Sequence, residues 1–125
     1  MIVGTGIDIV EIARFRKVVE RLKDRFISRV FTPEEQQFCQ KHRDPIPHFA
    51  ARFAAKEALF KALGTGWAKG VTWLDVEVRR QRQDPPLMVL RGEAGRISAN
   101  KGTQSVHLSL SHSEDSAVAL VVLER

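Results

Sequence analysis

The sequence contains one cysteine and no long uninterrupted apolar run. Because Cys39 is the only thiol among 125 residues, an internal disulfide is excluded and nothing ties the chain to an oxidising compartment. The longest nearly continuous apolar stretch, Ala117 to Leu123, is too short to cross a bilayer. The first residues also lack the basic and apolar regions of a signal peptide. We therefore expect a cytoplasmic protein without membrane contacts.

Several motifs of catalytic and nucleic-acid-binding proteins are missing as well. The histidines have no metal-ligand spacing with Cys39, which argues against a zinc site. Serines alternate around His112, but without a G-x-S-x-G elbow they do not indicate a hydrolase. No finger, RNP or homeodomain pattern is present, and no aromatic residues are interleaved with the basic ones.

The composition that remains is that of an ordinary globular protein with a basic balance. Apolar residues make up 43% and charged residues 28% of the chain, and 125 residues suffice for one domain with its own core. Since no repeat, linker or low-complexity tract divides the sequence, we expect a single domain at 1–125. The net charge of +5 favours an acidic partner or a phosphorylated ligand.

The N-terminal segment is predicted to form a strand followed by a helix. Residues Ile2 to Ile9 alternate so that Gly4, Gly6 and Asp8 share one face. The two glycines leave this face bare, so another element or a ligand can approach the backbone closely. Apolar residues at three- and four-residue steps then predict an amphipathic helix over residues 11–26.

Two further helices are predicted before the middle of the chain. Thr32 and Glu35 have the spacing of a capping box that opens a second helix. A third helix is expected over residues 48–63, and Gly64 suits the left-handed conformation that ends a helix.

The second half of the sequence is dominated by short strands. Alternating or apolar segments bounded by Pro, Gly and Ser indicate these strands, and a short helix is expected at 92–100. The predicted strands are residues 72–79, 87–90, 106–111 and 117–123, the last two forming a hairpin. This order predicts an α+β fold, in which an N-terminal strand and three helices pack on a mainly antiparallel sheet.

The third predicted helix carries charged residues that suit phosphate binding. Glu57 and Lys61 lie four residues apart on one shoulder of the helix. Lys56 interrupts the apolar stripe, and Arg52 lies one turn before it. Such cations beside a carboxylate can hold phosphate groups. The alternative is an exposed Glu57–Lys61 pair of little consequence, with the Lys56 ammonium extended to solvent.

Asp8 adds a second carboxylate if the third helix packs beside the first strand. Two carboxylates, completed by waters and substrate phosphates, suit Mg²⁺. Asp8 and Glu57 are the candidates for this pair. The alternative for Asp8 is an N-cap of the helix that follows it.

The first predicted helix carries a basic stripe. Its members are Arg14, Lys17, Arg21 and Arg25. They fall within an arc of roughly 80° on a helix, which would meet an acidic partner helix. The alternative is a solvated face opposite the core.

Four segments together resemble the holo-acyl-carrier-protein synthases of the 4'-phosphopantetheinyl transferase superfamily. They are GTGIDIVEI (residues 4–12), FTPEE (31–35), RFAAKEALFKALGTG (52–66) and LSLSHSEDSAVALV (108–121). The resemblance extends along essentially the whole chain. Its specific part is GIDIVEI combined with RFAAKEALFKALG, whereas FTPEE alone is mainly a capping box.

The resemblance implies a transfer of 4'-phosphopantetheine from coenzyme A to a serine of apo acyl carrier protein, in fatty acid biosynthesis and lipid metabolism. Asp8 and Glu57 would hold Mg²⁺, and Lys61 would lie at the pyrophosphate. Glu57 would also be the general base, directly or through a metal-bound water. The implied coenzyme A contacts are Arg52, Lys56, Lys61, Gly64, Thr65, Gly66 and His112.

The resemblance also gives the chain its partners. Acyl carrier proteins are acidic, so the basic stripe would bind one of them, and the working unit would be a homotrimer. The apolar strand at 117–123 agrees with a trimer, because both of its faces need cover. A small basic nucleic-acid-binding module remains the alternative. A two-domain transferase of broad specificity is disfavoured by the short, repeat-free chain.

Overall fold

The fold is known from a computed structural model that describes residues 1–81 and 83–125. Helices and strands follow one another along the chain, with a short 3₁₀ turn at Trp73–Asp75. In order, they are β1 (Ile2–Glu11), α1 (Ile12–Leu22), α2 (Asp24–Val30), α3 (Pro33–Gln40), α4 (Ile46–Leu63), β2 (Val76–Arg79), β3 (Leu87–Leu90), α5 (Gly92–Asn100), β4 (Ser105–His112) and β5 (Ser116–Glu124).

The strands form two antiparallel sheets, which confirms the predicted α+β class. One sheet has the order β1-β5-β4, and the other is the β2-β3 pair. β4 and β5 are the predicted hairpin, in which the Ser113 N–H donates to the Ser116 carbonyl at 2.8 Å. β1 and β5 lie at opposite ends of the sequence, and their pairing joins the first and last segments in one sheet.

The predicted first helix is in fact two helices. Lys23 adopts a φ of 51°, which ends α1 at Leu22 and lets α2 start in a new direction. The bend places the ring of Phe26 5.7 Å from Phe15 and 5.9 Å from Phe53. The prediction of one helix over 11–26 was therefore wrong, because the apolar period continues through the break.

The predicted strand at 72–79 is also shorter than expected. The Asp75 carboxylate accepts hydrogen bonds from the Thr72 backbone N–H and hydroxyl at 3.2 and 3.1 Å. This local pairing stabilises a 3₁₀ turn, as Asp and Ser/Thr side chains often do outside regular structure. Only Val76–Arg79 remains as strand β2.

α4 runs through the core and ends as the sequence predicted. Gly64 takes a φ of 77°, the left-handed conformation that closes a helix. α4 begins two residues earlier than expected, at Ile46. Neither α4 nor any other helix in the described ranges is long and apolar enough to cross a bilayer.

α4 packs directly on the bare face of β1. A Cβ atom added at Gly6 would lie 1.8 Å from the carbonyl oxygen of Ala58, and one at Gly4 would lie 2.3 Å from that of Ala62. Both distances are far below van der Waals contact, so only glycine permits this approach. The third predicted helix therefore does pack beside the first strand, as a shared site for Asp8 and Glu57 requires.

A buried ion pair holds α3, α4 and β2 together. The Lys56 ammonium donates to Glu35 Oε1 at 2.7 Å, to the Val30 carbonyl at 2.7 Å and to the Trp73 carbonyl at 3.1 Å. Glu35 also accepts the backbone N–H of Val78 at 2.8 Å, in addition to forming the predicted capping box with Thr32. Both side chains of the pair are fully buried.

The burial of Lys56 corrects two expectations from the sequence. Its three donors are all used inside the chain and its side chain has no exposed surface, so it neither extends to solvent nor offers a contact to a nucleotide. The ion pair was not predicted, because Glu35 lies 21 residues from Lys56 in the sequence. We therefore remove Lys56 from the proposed coenzyme A contacts.

Removing one member of this pair should destabilise the fold strongly. Replacing Lys56 by Met leaves the Glu35 charge buried and unpaired, and we expect the free energy of unfolding to fall by about 3–5 kcal/mol. Urea denaturation would measure the loss. Lys41→Met, at an exposed position, is the control and should change stability little. A Lys56→Met variant as stable as that control would contradict the role of the pair.

Candidate active site

The two predicted metal ligands line one cleft. Asp8 comes from β1 and Glu57 from α4, and the cleft between these elements and α1 has a volume of about 440 Å³. Its wall is partly apolar and partly charged. The other lining residues are Ile9, Val10, Glu11, Arg14, Phe15, Val18, Phe26, Phe53 and Ser116.

Lys61 lies at the edge of this site and is bound to it. Its ammonium donates to Asp8 Oδ1 at 3.1 Å and to the Ile7 carbonyl at 2.9 Å. The Lys61 side chain is 53% exposed, whereas that of Asp8 is only 13% exposed. The ammonium is therefore in contact with solvent, while the carboxylate it binds is largely shielded from it. The structure thus brings together Asp8, Glu57 and Lys61, the three residues assigned to the reacting centre.

The environment of Glu57 is unfavourable for its negative charge. Burial raises the pKa of Glu57 to about 7, repulsion from Asp8 adds to this effect, and Lys61 opposes it. A proton or a cation would relieve the repulsion between the two carboxylates. Their pairing at one cleft fits Mg²⁺, which is bound through one or two carboxylates together with substrate phosphates. No group of three or more His, Cys, Asp or Glu side chains in the described ranges could hold a metal.

Arg52 and His112 lie together in a second cleft. This cleft has a volume of about 290 Å³. The residues lining it are Phe38, His42, His48, Ala51, Arg52, Arg80, Gln83, Leu110, Ser111 and His112. None of them lines the Asp8–Glu57 cleft, so Arg52 and His112 lie apart from the predicted metal ligands on one chain.

The buried Arg52 guanidinium uses only some of its hydrogen-bond donors within the described part of the chain. Its side chain is packed over the Phe38 ring at 4.2 Å, and its Nη1 donates to the His48 carbonyl at 3.3 Å. Among the residues that the structure describes, none accepts a hydrogen bond from Nε or Nη2, although Arg52 is only 2% exposed. Buried donors without acceptors are costly, so an anion in this cleft would be well bound.

The predicted loop at 64–66 follows α4 directly. Gly64 and Gly66 both have positive φ values, which turn the chain sharply away from the helix. The Thr65 hydroxyl donates to the Gly66 carbonyl at 2.9 Å and is mostly buried. The loop presents backbone rather than the Thr65 side chain to solvent.

The basic stripe is divided by the break at Lys23. Arg14, Lys17 and Arg21 are exposed on α1, while Arg25 is exposed on α2. Arg14 also lines the Asp8–Glu57 cleft. The stripe therefore begins at the rim of that cleft.

Some residues at the two clefts were not predicted. Phe15, Phe26 and Phe53 belong to the apolar stripes of the predicted helices, yet they also line the first cleft. His42 and His48 were considered only as zinc ligands. His48 lies four residues before Arg52, a spacing that places both on one face of α4 and could have indicated the second cleft.

Comparison with known proteins decides the family. The family model described as the 4'-phosphopantetheinyl transferase superfamily matches residues 4–121. This chain belongs to that superfamily. The resemblance found in the sequence is therefore confirmed, and the match supports a transferase rather than a nucleic-acid-binding module.

Full-length relatives and solved structures agree with this assignment. The holo-[acyl-carrier-protein] synthase of Koribacter versatilis is 50% identical over 124 residues, which cover 99% of each chain. The crystal structure of the synthase from Neisseria meningitidis matches with a TM-score of 0.89 at 34% identity, covering all of both chains. The Helicobacter pylori synthase in complex with coenzyme A matches with a TM-score of 0.84 at 37% identity, covering 96% of this chain and 99% of that one.

Proposed function

We propose that this enzyme transfers 4'-phosphopantetheine from coenzyme A to a serine of apo acyl carrier protein and releases 3',5'-ADP. Its full-length relatives are named for this activity, and the similar Helicobacter pylori structure contains coenzyme A. The observation that carries the proposal is that Asp8 and Glu57 line one cleft and that Lys61 donates a hydrogen bond to Asp8. These are the residues that the family resemblance assigned to the reacting centre.

The proposed reaction is a displacement at phosphorus. The serine oxygen forms a bond to the phosphorus that carries pantetheine, and the bond from that phosphorus to the bridging oxygen breaks, so 3',5'-ADP leaves. Glu57 takes the serine proton, either directly or through a water held at the metal. Lys61 stands where its ammonium can neutralise the leaving phosphate. Mg²⁺, held by Asp8 and Glu57, would supply charge neutralisation at the pyrophosphate.

Product formation tests this proposal. With apo carrier protein and Mg²⁺ present, chromatography should show coenzyme A converted to 3',5'-ADP. Omission of the carrier should stop the conversion, since the serine is the acceptor. Formation of 3',5'-ADP at the same rate without carrier would indicate hydrolysis and contradict a transferase.

The pKa of Glu57 leads to a prediction for metal binding. Protons and Mg²⁺ compete for the same carboxylate, so the group binds metal only when it is ionised. Well above pH 7 Glu57 is ionised and the Kd for Mg²⁺ should be constant. Below pH 7 it becomes protonated, and the Kd should rise by up to about tenfold per pH unit. Calorimetric titration between pH 5.5 and 8 would measure this, and a flat profile would contradict it.

The basic stripe is the proposed docking surface for the carrier. It begins at the cleft rim with Arg14, so an acidic carrier bound to it would have its serine near Asp8 and Glu57. Reversing the charge at Arg14 and Arg21 should raise the KM for the carrier by roughly tenfold or more and leave coenzyme A affinity unchanged. High salt should have a similar effect on the parent enzyme, because exposed charges are screened. A carrier KM that ignores both changes would contradict this surface.

We also propose that the enzyme works as a homotrimer. On the outer face of the β1-β5-β4 sheet, Ile7 is 59%, Ile9 66% and Leu120 43% exposed, and Ile7 pairs with Leu120. Such contiguous apolar surface indicates a protein interface. Ile9 also lines the Asp8–Glu57 cleft, so a subunit covering this face would stand beside the reacting centre. The second cleft of that neighbour could then receive the nucleotide end of coenzyme A.

A further inference from the structure

The second cleft contains three histidines in mutual contact. The rings of His42 and His48 are stacked, with centroids 3.5 Å apart and planes inclined by 21°. His112 lies edge-on to His48 at 5.5 Å. His42 follows α3, His48 lies on α4 and His112 ends β4, so the cluster joins three parts of the fold.

The charges around His48 are mainly positive. Besides His42 and His112, the groups facing it are the guanidinium of Arg52, on α4, and Arg80, which follows β2 and lines the cleft. The Asp44 carboxylate acts in the opposite sense on His48, but it accepts two hydrogen bonds from Arg16 at 3.2 and 2.6 Å. No carboxylate is among the described residues that line this cleft. Two nitrogens of Arg52 also lack an acceptor among residues 1–81 and 83–125, so the cleft suits an anion.

In the absence of an anion, His48 favours the neutral state. Burial lowers the pKa of His48 to about 4, and repulsion from His42, His112 and Arg52 adds to the effect. His42 Nδ1 lies 3.2 Å from the Cys39 carbonyl, which can only accept, so Nδ1 carries the proton. A bound anion would oppose the effect of burial and repulsion on His48, because a negative charge favours imidazolium.

Coenzyme A offers two anionic groups to the enzyme. The pyrophosphate belongs at Asp8, Glu57 and Lys61 in the proposed function, on which this inference rests. The 3'-phosphate is the group that remains for the second cleft. We propose that the stacked His42–His48 pair takes up a proton when the 3'-phosphate enters this cleft, and that it thereby selects coenzyme A over dephospho-coenzyme A.

Proton uptake can be measured directly. Coenzyme A is titrated into the enzyme at pH 6.5 in buffers of different ionisation enthalpy, and the dependence of the heat on the buffer gives the protons bound. The parent enzyme should take up several tenths of a proton more than His48→Asn. The phosphate's own ionisation contributes equally to both proteins and cancels. His107→Asn, an exposed histidine that pairs with Glu124 outside the cleft, is the matched control and should behave as the parent.

Affinity and ligand choice give a second readout. Between pH 6 and 8, the Kd for coenzyme A should rise several-fold more in the parent than in His48→Asn. With dephospho-coenzyme A the two proteins should show the same proton uptake. His42→Asn is a second variant for the case that His48→Asn does not fold, and it should reduce the uptake in the same way.

The outcomes separate this inference from the proposed function. If the parent binds coenzyme A but takes up no more protons than both histidine variants, the stacked pair has no such role. A histidine-dependent uptake that persists with dephospho-coenzyme A would also overturn the assignment to the 3'-phosphate. Failure of the parent to bind coenzyme A at all would overturn the proposed function and this inference with it.

Discussion

Replacing Glu57 by Gln is expected to lower kcat/KM for transfer by roughly a hundredfold to ten-thousandfold, the range associated with loss of a general base. Gln keeps the size of the side chain but removes both the proton acceptor and one of the two carboxylates at the cleft. Because the substitution also removes a charge that burial disfavours, the fold should be retained or stabilised. Asp8→Asn should also reduce turnover strongly, but less than Glu57→Gln, since Asp8 is proposed to hold only the metal.

The matched control for these variants is Glu11→Gln. Glu11 lines the same cleft and carries the same charge, but it is exposed and has no proposed role in the reaction. Its variant should retain activity within a few-fold of the parent. Initial rates over a range of coenzyme A and carrier concentrations would distinguish kcat from KM. If Glu57→Gln and Glu11→Gln had similar activity, the reacting centre would lie elsewhere.

Placing a charge on the outer face of the β1-β5-β4 sheet is expected to abolish assembly and activity together. Leu120→Glu introduces a carboxylate into an apolar surface that would be covered in the trimer. An unpaired buried charge costs about 3–5 kcal/mol, and the trimer would contain three of them. Val122→Glu, on the same face of β5, should act in the same way. Light scattering should report the mass of a single chain, and turnover should fall at least about a hundredfold.

The same measurement on Ala99→Glu provides the control. Ala99 is exposed on α5, outside the sheet face, so the charge should remain in solvent and the trimer should persist. Circular dichroism would verify that the Leu120→Glu chain remains folded. A parent enzyme that is active as a single chain would contradict both the trimer and the site shared between subunits.

Local signals in the sequence predicted the ends of several elements correctly. The capping box of Thr32 and Glu35 and the left-handed Gly64 are both present, because each depends on residues only a few positions apart. The approach of α4 to β1 was also foreseeable, since Gly4 and Gly6 leave no side chain in the way. The carboxylate pair at the cleft followed from that packing.

Features that depend on distant residues could not be predicted. The partner of Lys56 became apparent only in the fold, because Glu35 accepts from Lys56, Thr32 and Val78 at once. The break at Lys23 was hidden by an apolar period that continues across it. Likewise, the His42–His48 stack depends on a loop that folds back on α4, and sequence spacing gives no sign of ring contact.

The activity itself can be tested by weighing the acceptor. The enzyme is mixed with apo acyl carrier protein, coenzyme A and Mg²⁺, and the intact carrier is analysed by mass spectrometry. Our account predicts that each carrier gains the mass of one phosphopantetheine, and that a carrier lacking the acceptor serine gains none. An unchanged carrier mass with either Mg²⁺ or Mn²⁺ would contradict the account.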